Sequence, residues 1–301
     1  MGRLEKELVW VLGADGLLGS TWTSWLRSQG FCVVATKRDP DLCLPAEVDL
    51  FLSRMEQPPV FVINCAALTG YDRCEKNPER AFATNAEGPE LLGQLAHKYG
   101  FKLIHFSSDC VFEGAGGERF EGSMPAARSV YAQTKLEGEG RLLKVCPQSL
   151  IIRSSWLFGH HQPNFLLRIL HSMATEETLH VVEDQIGRPT SVLDLVTWTW
   201  ALRHKHGIWH LANQGEASWF SFAQQVLQLA QRMDLPIQCR EILPIQHEQL
   251  LTKRPASCGA TLNTEKAERF GLVLRPWQLA LGEILEGCFV EFPSELHRET
   301  R

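Results

Sequence analysis

Tyr131 and Lys135 stand four residues apart, which on a helix places a phenol and an ammonium group on the same surface. A tyrosine hydroxyl loses its proton near pH ~10, and a neighbouring cation favours the phenolate, which brings the group toward acid–base work at neutral pH. The same spacing is common on amphipathic helices, where it gives an exposed pair worth roughly 0.2 to 0.5 kcal/mol. The elements around the pair therefore decide whether it is catalytic.

A glycine-rich turn follows the first apolar run of the chain. Residues 8–12 are wholly apolar, which predicts a strand buried on both faces of a parallel sheet. Gly13, Gly16 and Gly19 lead from it into an amphipathic helix expected over residues 20–29. This spacing permits a tight turn and close approach of the backbone to a diphosphate, with free N–H groups facing the anion. We favour a dinucleotide site over a plain glycine-rich turn, because the flanking strand and helix supply the required context.

Two basic residues follow the second predicted strand, residues 31–35. An NAD-selective site usually places an acidic side chain there to bind the ribose 2′-hydroxyl, whereas a basic side chain accommodates the 2′-phosphate of NADP. Lys37 and Arg38 stand at this place. They favour NADPH and leave NADH open; two solvated surface cations are the alternative interpretation.

Three later segments rich in apolar residues, expected as strands over 60–63, 102–106 and 149–152, are each followed directly by small or polar residues. Ligands of doubly wound sheets lie at the C-terminal ends of the strands. The sequence therefore predicts an α/β fold, a doubly wound parallel sheet of the Rossmann type, with the site at that edge. We expect residues 1–157 to form the NAD(P)-binding domain. Residues 158–301 are expected to form mainly a smaller mixed α/β substrate domain, with some segments returning to the Rossmann sheet.

The bulk properties exclude several classes of protein. The formal net charge is −5 and no long basic run occurs, which argues against nucleic acid or an anionic membrane surface as partner. No apolar run approaches the ~20 residues of a membrane span. Nine cysteines without CxxC or Cys/His spacing indicate reduced thiols in a cytoplasmic protein, and the histidines show no spacing typical of a metal site.

Taken together and in this order, the motifs resemble those of the extended short-chain dehydrogenase/reductases and, within them, the dTDP-4-dehydrorhamnose reductases. The strings that carry the resemblance span nearly the whole chain: 62–67, 106–114, 131–139, 153–159, 184–190 and 262–266. The resemblance implies that NADPH delivers a hydride to C4 of a nucleotide-linked 4-keto-6-deoxyhexose, in this family dTDP-4-dehydro-L-rhamnose, to give dTDP-L-rhamnose.

The resemblance also implies roles for individual residues. Tyr131 would donate a proton to the developing alkoxide, and Lys135 would lower the pKa of Tyr131 and hold the nicotinamide ribose. Ser108 would hydrogen-bond the carbonyl oxygen, where a preorganised donor is typically worth ~3 to 4 kcal/mol. With Lys37 and Arg38, the expected cofactor contacts are Gly13, Asp15, Gly16, Leu17, Leu18, Gly19, Asp41, Leu42, Ala66, Ala67, Leu68, Tyr131 and Lys135. The expected substrate contacts are Ser108, Asp109, Trp156, Asn164, Gln185 and Arg254. A core aromatic is the alternative for Trp156, and a solvated surface cation for Arg254.

One departure from the family pattern opens a second reaction. Cys110 replaces the tyrosine that usually follows Thr-Asp, and in the related GDP-fucose synthases a cysteine at the matching position epimerises the sugar with the help of a downstream histidine. His160 and His161 follow Gly159 here. A small apolar filler is the alternative for Cys110.

Other functions stay open beside the leading hypothesis. They are a reductase or epimerase/reductase for another nucleotide 4-keto sugar, and a non-catalytic NADP-binding subunit like the methionine adenosyltransferase β subunit. Sugar dehydratases are less favoured, because their motif carries an Asp-Glu pair where this chain has Asp109 and Cys110. Some family members bind Mg²⁺ at a dimer contact, which leaves a homodimer open, although no residues of this sequence single out such a metal site.

Overall fold

The computed structural model describes residues 7–113, 115–161, 164–250 and 260–288. The strands are β1 Leu8–Leu12, β2 Cys32–Thr36, β3 Phe61–Asn64, β4 Lys102–Ser108, β5 Gly117–Arg119, β6 Leu150–Ser154, β7 Leu157–Phe158, β8 Thr178–Val182, β9 Ile186–Gly187, β10 Thr190–Ser191, β11 Gly207–His210, β12 Ala217–Ser218, β13 Glu241–Ile245 and β14 Ala260–Leu262. The α-helices are α1 Leu17–Ser28, α2 Pro45–Ser53, α3 Tyr71–Lys76, α4 Pro78–Phe82, α5 Gly88–Tyr99, α6 Val130–Val145, α7 Phe165–Thr175, α8 Val192–Ala201, α9 Trp219–Arg232, α10 Glu265–Arg269 and α11 Trp277–Cys288. None of the described helices is long and apolar enough to cross a membrane.

Six parallel strands form the central sheet, in the order β2-β1-β3-β4-β6-β11. The strand order reverses between β1 and β3, which is the switch point where such sheets bind ligands. This confirms the predicted α/β, doubly wound fold. The strand expected over 102–106 extends to Ser108, because Ser108 still pairs with Ser154 of β6.

Helices cover both faces of this sheet. On α1 the residues Leu18, Trp22 and Leu26 recur every fourth position and are buried in one cluster with α8. The opposite face buries α5 and α6. The helix expected from residue 20 begins at Leu17, because Gly16 takes the extended backbone conformation of an N-cap residue.

A separate hydrophobic core lies in the second half of the chain, between α7, α9, α11 and the parallel pair β8–β13. The chain crosses between this core and the sheet more than once. β11 pairs with β6 at the edge of the sheet, α8 packs on α1, and Ala267 and Leu274 are buried against the same face. The domain boundary between residues 157 and 158 stays a prediction.

Candidate active site

The glycine loop forms a close-packed cradle at the start of α1. Gly13 has φ +70°, and a Cβ there would lie 2.8 Å from the backbone of Ala66. A Cβ on Gly19 would collide with the carbonyl oxygen of Gly13. In this described stretch, α1 has no side-chain cap and no acidic residue in its first turn. Open N–H groups at a helix N-terminus suit a diphosphate, so the residues present fit a dinucleotide.

Residues 66–68 run beside this cradle and are fixed by Asn85. The buried Asn85 side chain accepts from the Leu68 amide at 2.8 Å and donates to the Leu68 carbonyl at 3.0 Å and to Thr134 Oγ1 at 3.1 Å. Asn85 lies in a π-helical turn, Ala83–Glu87, a feature that is frequent at functional sites. Sequence reasoning missed this residue. A sequence signal for this contact is the glycine at position 138, inside α6. A Cβ at Gly138 would collide with the Asn85 carbonyl oxygen, so a glycine is needed where the helix meets Asn85.

The segment after β2 carries the residues expected at the adenosine end of the cofactor. Lys37 and Arg38 are both exposed, and Leu42 is buried. Asp41 forms a two-oxygen ion pair with Arg80 of α4, at 2.8 and 3.0 Å. Burial raises the pKa of Asp41, but hydrogen bonds from the Cys43 amide and Arg80 outweigh it and leave that pKa below its usual value. Arg80 was not among the predicted residues.

Ser108, Asp109 and Cys110 lie together where β4 ends. Ser108 Oγ donates to Asp109 Oδ1 at 2.9 Å and accepts from the Cys110 amide at 3.2 Å. Cys110 Sγ lies 3.8 Å from the same carboxylate oxygen. Asp109 is buried, which raises its pKa to about 6, although the hydrogen bonds from Ser108 and Cys110 act in the opposite direction.

Helix α6 brings Tyr131 and Lys135 to this group. Ser129 caps the helix by accepting from the Ala132 amide at 3.2 Å. Two carboxylates accept from neighbouring amides: Glu113 from Ser129 N at 2.6 Å, and Glu75 from Val130 N at 2.9 Å. The first turn of the helix, which carries Tyr131, is therefore held from two sides.

The pKa of Tyr131 is raised, opposite to the predicted direction. Burial is the main cause, the charges of Cys110 and Asp109 add to it, and a hydrogen bond with the Ser108 side chain opposes it. This interaction places the Tyr131 and Ser108 side chains close to each other. Tyr131 therefore carries its proton at neutral pH, as a proton donor must, but a general acid works best with a pKa near the operating pH, so the raised pKa is not itself an argument for catalysis.

Lys135 is almost fully buried, and its ammonium group donates to the Phe106 carbonyl at 2.6 Å. Burial lowers the pKa of Lys135 to about 8, although Glu139 and Cys65 act to raise it. Glu139 itself forms a buried ion pair with Arg153, at 2.6 and 2.8 Å. Cys65, one of the groups that act on Lys135, directly precedes residues 66–68, which are among the expected cofactor contacts.

The predicted substrate residues differ in their burial and in their hydrogen-bond partners. Trp156 is half-buried, two residues beyond Ser154, the partner of Ser108 in the sheet. Asn164 caps α7 and donates to the Gly159 carbonyl at 2.9 Å. Gln185 Oε1 accepts from Trp219 Nε1 at 3.1 Å, and Gln185 Nε2 contacts His247 Nδ1 at 2.5 Å. Arg254 lies outside the described residues.

The histidines that follow Gly159 lie near α11. The His160 and His161 rings are 6.2 Å apart, and a Cβ on Gly287 would lie 2.5 Å from the His160 ring. In the part of the chain that the structure describes, no three or more His, Cys, Asp and Glu side chains are grouped closely enough to hold a metal ion.

Comparisons with known proteins fit this geometry. A family model described as the RmlD substrate binding domain matches residues 7–289. The chain belongs to this family. A dTDP-4-dehydrorhamnose reductase of Streptomyces griseus is 37% identical over 229 residues, which cover 73% of this chain and 75% of the relative. A probable dTDP-4,6-dihydroxy-2-methyloxan-3-one 4-ketoreductase of Streptomyces antibioticus is 33% identical over 298 residues, 97% of each chain.

A solved relative carries the cofactor. The crystal structure of dTDP-4-dehydrorhamnose reductase from Bacillus anthracis in complex with NADP has a TM-score of 0.84 and 28% identity, over 94% of this chain and 99% of that chain. This protein is an NAD(P)-dependent oxidoreductase of the RmlD family, as the sequence motifs predicted.

Proposed function

We propose that this protein reduces the 4-keto group of a nucleotide-linked 6-deoxyhexose with NADPH. The observation that carries the proposal is the convergence of Ser108, Tyr131 and Lys135 at the C-terminal edge of the sheet, beside the glycine cradle of α1. A ketone reductase needs these three groups in one place: a donor toward the carbonyl oxygen, a proton source and a cation.

Each of these residues has its own role in the proposed reduction. Bound NADPH supplies the hydride that adds to the carbonyl carbon. Ser108 and Tyr131 hydrogen-bond the carbonyl oxygen, and Tyr131 passes its hydroxyl proton to that oxygen as charge develops on it. Lys135 then stabilises the phenolate left on Tyr131. The carbonyl gains one hydride and one proton and leaves as an alcohol.

We propose dTDP-4-dehydro-L-rhamnose as the substrate, with dTDP-L-rhamnose as product. Its support is the name carried by the relatives from S. griseus and B. anthracis, together with the length over which they match. The S. antibioticus relative has a different keto-sugar in its name, so another nucleotide 4-keto sugar is the nearest alternative. We place the reaction in the cytoplasm, because nine cysteines without a paired pattern are typical of a reducing compartment.

The test is NADPH consumption with dTDP-4-dehydro-L-rhamnose by the wild type and by Tyr131→Phe. We expect turnover by the wild type and a loss of about 10²- to 10⁴-fold in the variant, the usual contribution of a general acid. Tyr99→Phe is the matched control, because the Tyr99 hydroxyl bonds to Asp49 in a different part of the protein. NADPH binding without turnover of any nucleotide keto-sugar would instead indicate a regulatory subunit.

An epimerase/reductase is the second candidate. The observation that favours it is the position of Cys110, two residues after Ser108, with its thiol 3.8 Å from Asp109. An epimerising protein would exchange solvent deuterium into C3 or C5 of the keto-sugar without NADPH, and Cys110→Ala would abolish the exchange. Absence of exchange in the wild type would leave reduction as the whole reaction.

A further inference from the structure

Trp156 has an unusual backbone conformation for its residue type. Its φ is +45°, in the left-handed region that bulky L-residues rarely adopt. Such outliers persist where the surrounding structure enforces them, and they cluster at functional sites. Trp156 follows β6 by two residues, at the sheet edge where Ser108 and Tyr131 meet.

Main-chain and hydroxyl contacts fix this backbone. The Trp156 carbonyl accepts from the Thr190 amide at 3.1 Å. The preceding residue, Ser155, donates from its hydroxyl to the Arg188 carbonyl at 2.7 Å. The pairing of β7 with β10 continues the contact, with Leu157 opposite Thr190. Residues 188–190 therefore hold the chain on both sides of Trp156.

The ring of Trp156 is held as well. It stacks on the ring of Trp219, with centroids 3.5 Å apart and planes 1° apart. A Cβ on Gly187 would overlap the Trp156 ring, so only glycine leaves room for it. Aromatic pairs prefer offset or edge-to-face arrangements over a face-to-face sandwich. The face-to-face stack is therefore enforced by the residues packed around the two rings.

Trp219 has its own anchors. Its indole N–H donates to Gln185 Oε1 at 3.1 Å, and its ring packs on Phe165 at 4.3 Å. The antiparallel pairing of β9 with β12, which sets Ser218 opposite Ile186, brings Trp219 to this place. The amide of Gln185 is therefore engaged in holding the aromatic stack.

We propose that Gln185, Gly187, Arg188, Thr190 and Trp219 form a clamp that positions Trp156 against the sugar of the substrate. They are positioning residues, and Gln185 acts through Trp219 rather than by touching the substrate as the sequence suggested. The inference rests on the proposed function, because it takes Trp156 as the substrate contact.

The first test compares Trp219→Ala and the milder Trp219→Phe with the wild type. We expect Trp219→Ala to raise the KM for dTDP-4-dehydro-L-rhamnose about tenfold, equivalent to about 1.4 kcal/mol, and Trp219→Phe to raise it less. The KM for NADPH should stay unchanged in both, because the clamp does not touch the glycine cradle. Trp277→Phe is the matched control, since Trp277 is buried in the same core and packs on Phe222.

A second variant leaves Trp219 intact. Gly187→Ala pushes a methyl group into the Trp156 ring and should raise the KM for the keto-sugar, again with the KM for NADPH unchanged.

A double substitution tests whether Trp219 acts through Trp156. In a Trp156→Phe background the effect of Trp219→Phe on the keto-sugar KM should shrink, because residues that act through one another are not additive. Full additivity of the two substitutions would overturn the clamp, and so would an unchanged keto-sugar KM in Trp219→Ala.

A spectroscopic readout separates the clamp from the proposed function. Two stacked indoles couple their strong far-ultraviolet transitions, so subtracting the circular dichroism spectrum of Trp219→Phe or Gly187→Ala from that of the wild type should leave a bisignate feature, and subtracting that of Trp277→Phe should not. The cluster of Trp22, Trp25 and Trp200 is present in all these proteins and cancels in the difference. If the wild type reduces no keto-sugar, the proposed function fails, and the difference spectrum still tests whether Trp219 and Gly187 hold the ring of Trp156. A wild-type minus Gly187→Ala spectrum without the bisignate feature would overturn this holding of the ring, and its presence would support it.

Discussion

Lys135 donates a hydrogen bond of 2.6 Å from its buried ammonium group to the main-chain carbonyl of Phe106, inside β4. This contact ties the helix that carries Tyr131 to the strand that ends two residues later in Ser108. The acid, the cation and the carbonyl-binding hydroxyl are thereby held by adjoining elements of the sheet and helix. The position of Lys135 also determines how the reaction responds to pH.

We predict that kcat/KM falls as the pH rises above about 8. Burial lowers the pKa of Lys135 to about 8, against the opposing effects of Glu139 and Cys65, while His105 lies nearby and is kept neutral by its burial. The proposed reaction needs the protonated ammonium group, so activity should be full below that pKa and decline tenfold per pH unit above it.

The measurement is kcat/KM at saturating NADPH between pH 6 and pH 10. Lys135→Arg is the control, because a guanidinium group stays protonated throughout this range. Its activity should be lower, since the group differs in shape, but it should lose the decline above pH 8. A wild-type profile that is flat to pH 10 would contradict the assignment.

Asp109→Asn should stabilise the protein at pH 7.5. Burial raises the pKa of Asp109 from 3.8 to about 6, so between these values the native state binds more protons than the unfolded state, and the free energy of unfolding falls as the pH rises. Above about pH 6 the full cost of burying the ionised Asp109 carboxylate applies, which is up to about 3 kcal/mol at 1.36 kcal/mol per pKa unit. Asparagine removes the charge and keeps an oxygen that can accept from Ser108.

Urea unfolding at pH 7.5 and at pH 4.5 checks this prediction. The difference in the free energy of unfolding between Asp109→Asn and the wild type should be largest at pH 7.5 and shrink at pH 4.5. Asp234→Asn, at an exposed position, should change little at either pH. A variant that is less stable than the wild type at pH 7.5 would show that the carboxylate is needed for the fold.

The sheet and its functional edge could be predicted from the sequence, because their signals are local. Each buried strand is a short run rich in apolar residues, and the residues at its end or just beyond it, such as Ser108 and Trp156, lie at the C-terminal edge in any doubly wound sheet. Tyr131 and Lys135 could be found for the same reason, since four residues on a helix always bring two side chains together.

The supporting contacts could not be predicted, because they join residues far apart in the chain. Asn85 reaches Thr134 across 49 positions, Arg80 reaches Asp41 across 39, and Trp219 reaches Gln185 across 34. The predicted direction of the Tyr131 pKa shift was wrong for a related reason. The spacing to Lys135 predicts a lowered pKa, but burial and the charges of Cys110 and Asp109 determine its direction.

The double substitution Lys37→Ala/Arg38→Ala should weaken the selection for NADPH. Both side chains are exposed after β2, where a 2′-phosphate would be accommodated. Exposed ion pairs are worth at most about 1 kcal/mol each, so we expect the KM for NADPH to rise about tenfold. The KM for NADH, which lacks the phosphate, should not change.

The measurement is kcat/KM with NADPH and with NADH for the wild type and the double variant. Arg27→Ala removes an exposed cation from the other end of α1 and should alter neither value. A wild type that uses NADH as well as NADPH would overturn the predicted preference.

Gly19→Ala should destabilise the protein and weaken NADPH binding, whereas Gly140→Ala should stabilise it. A Cβ on Gly19 would collide with the Gly13 carbonyl oxygen, so the glycine cradle must open, and NADPH affinity should fall at least about tenfold, or 1.4 kcal/mol. Gly140 is exposed on α6, and a Cβ added there would point into open space. Alanine there should stabilise the protein by about 0.5 to 1 kcal/mol, because glycine is the weaker helix former.

A fluorescence titration with NADPH and urea unfolding separate the two effects. Gly140→Ala should bind NADPH like the wild type and unfold at higher urea, whereas Gly19→Ala should bind weakly and unfold at lower urea. If Gly19→Ala bound NADPH with wild-type affinity, the diphosphate could not lie on the Gly13 to Gly19 turn. The cofactor would then have to be held by a different part of the sheet edge, and the roles of Tyr131 and Lys135 would have to be reassigned with it.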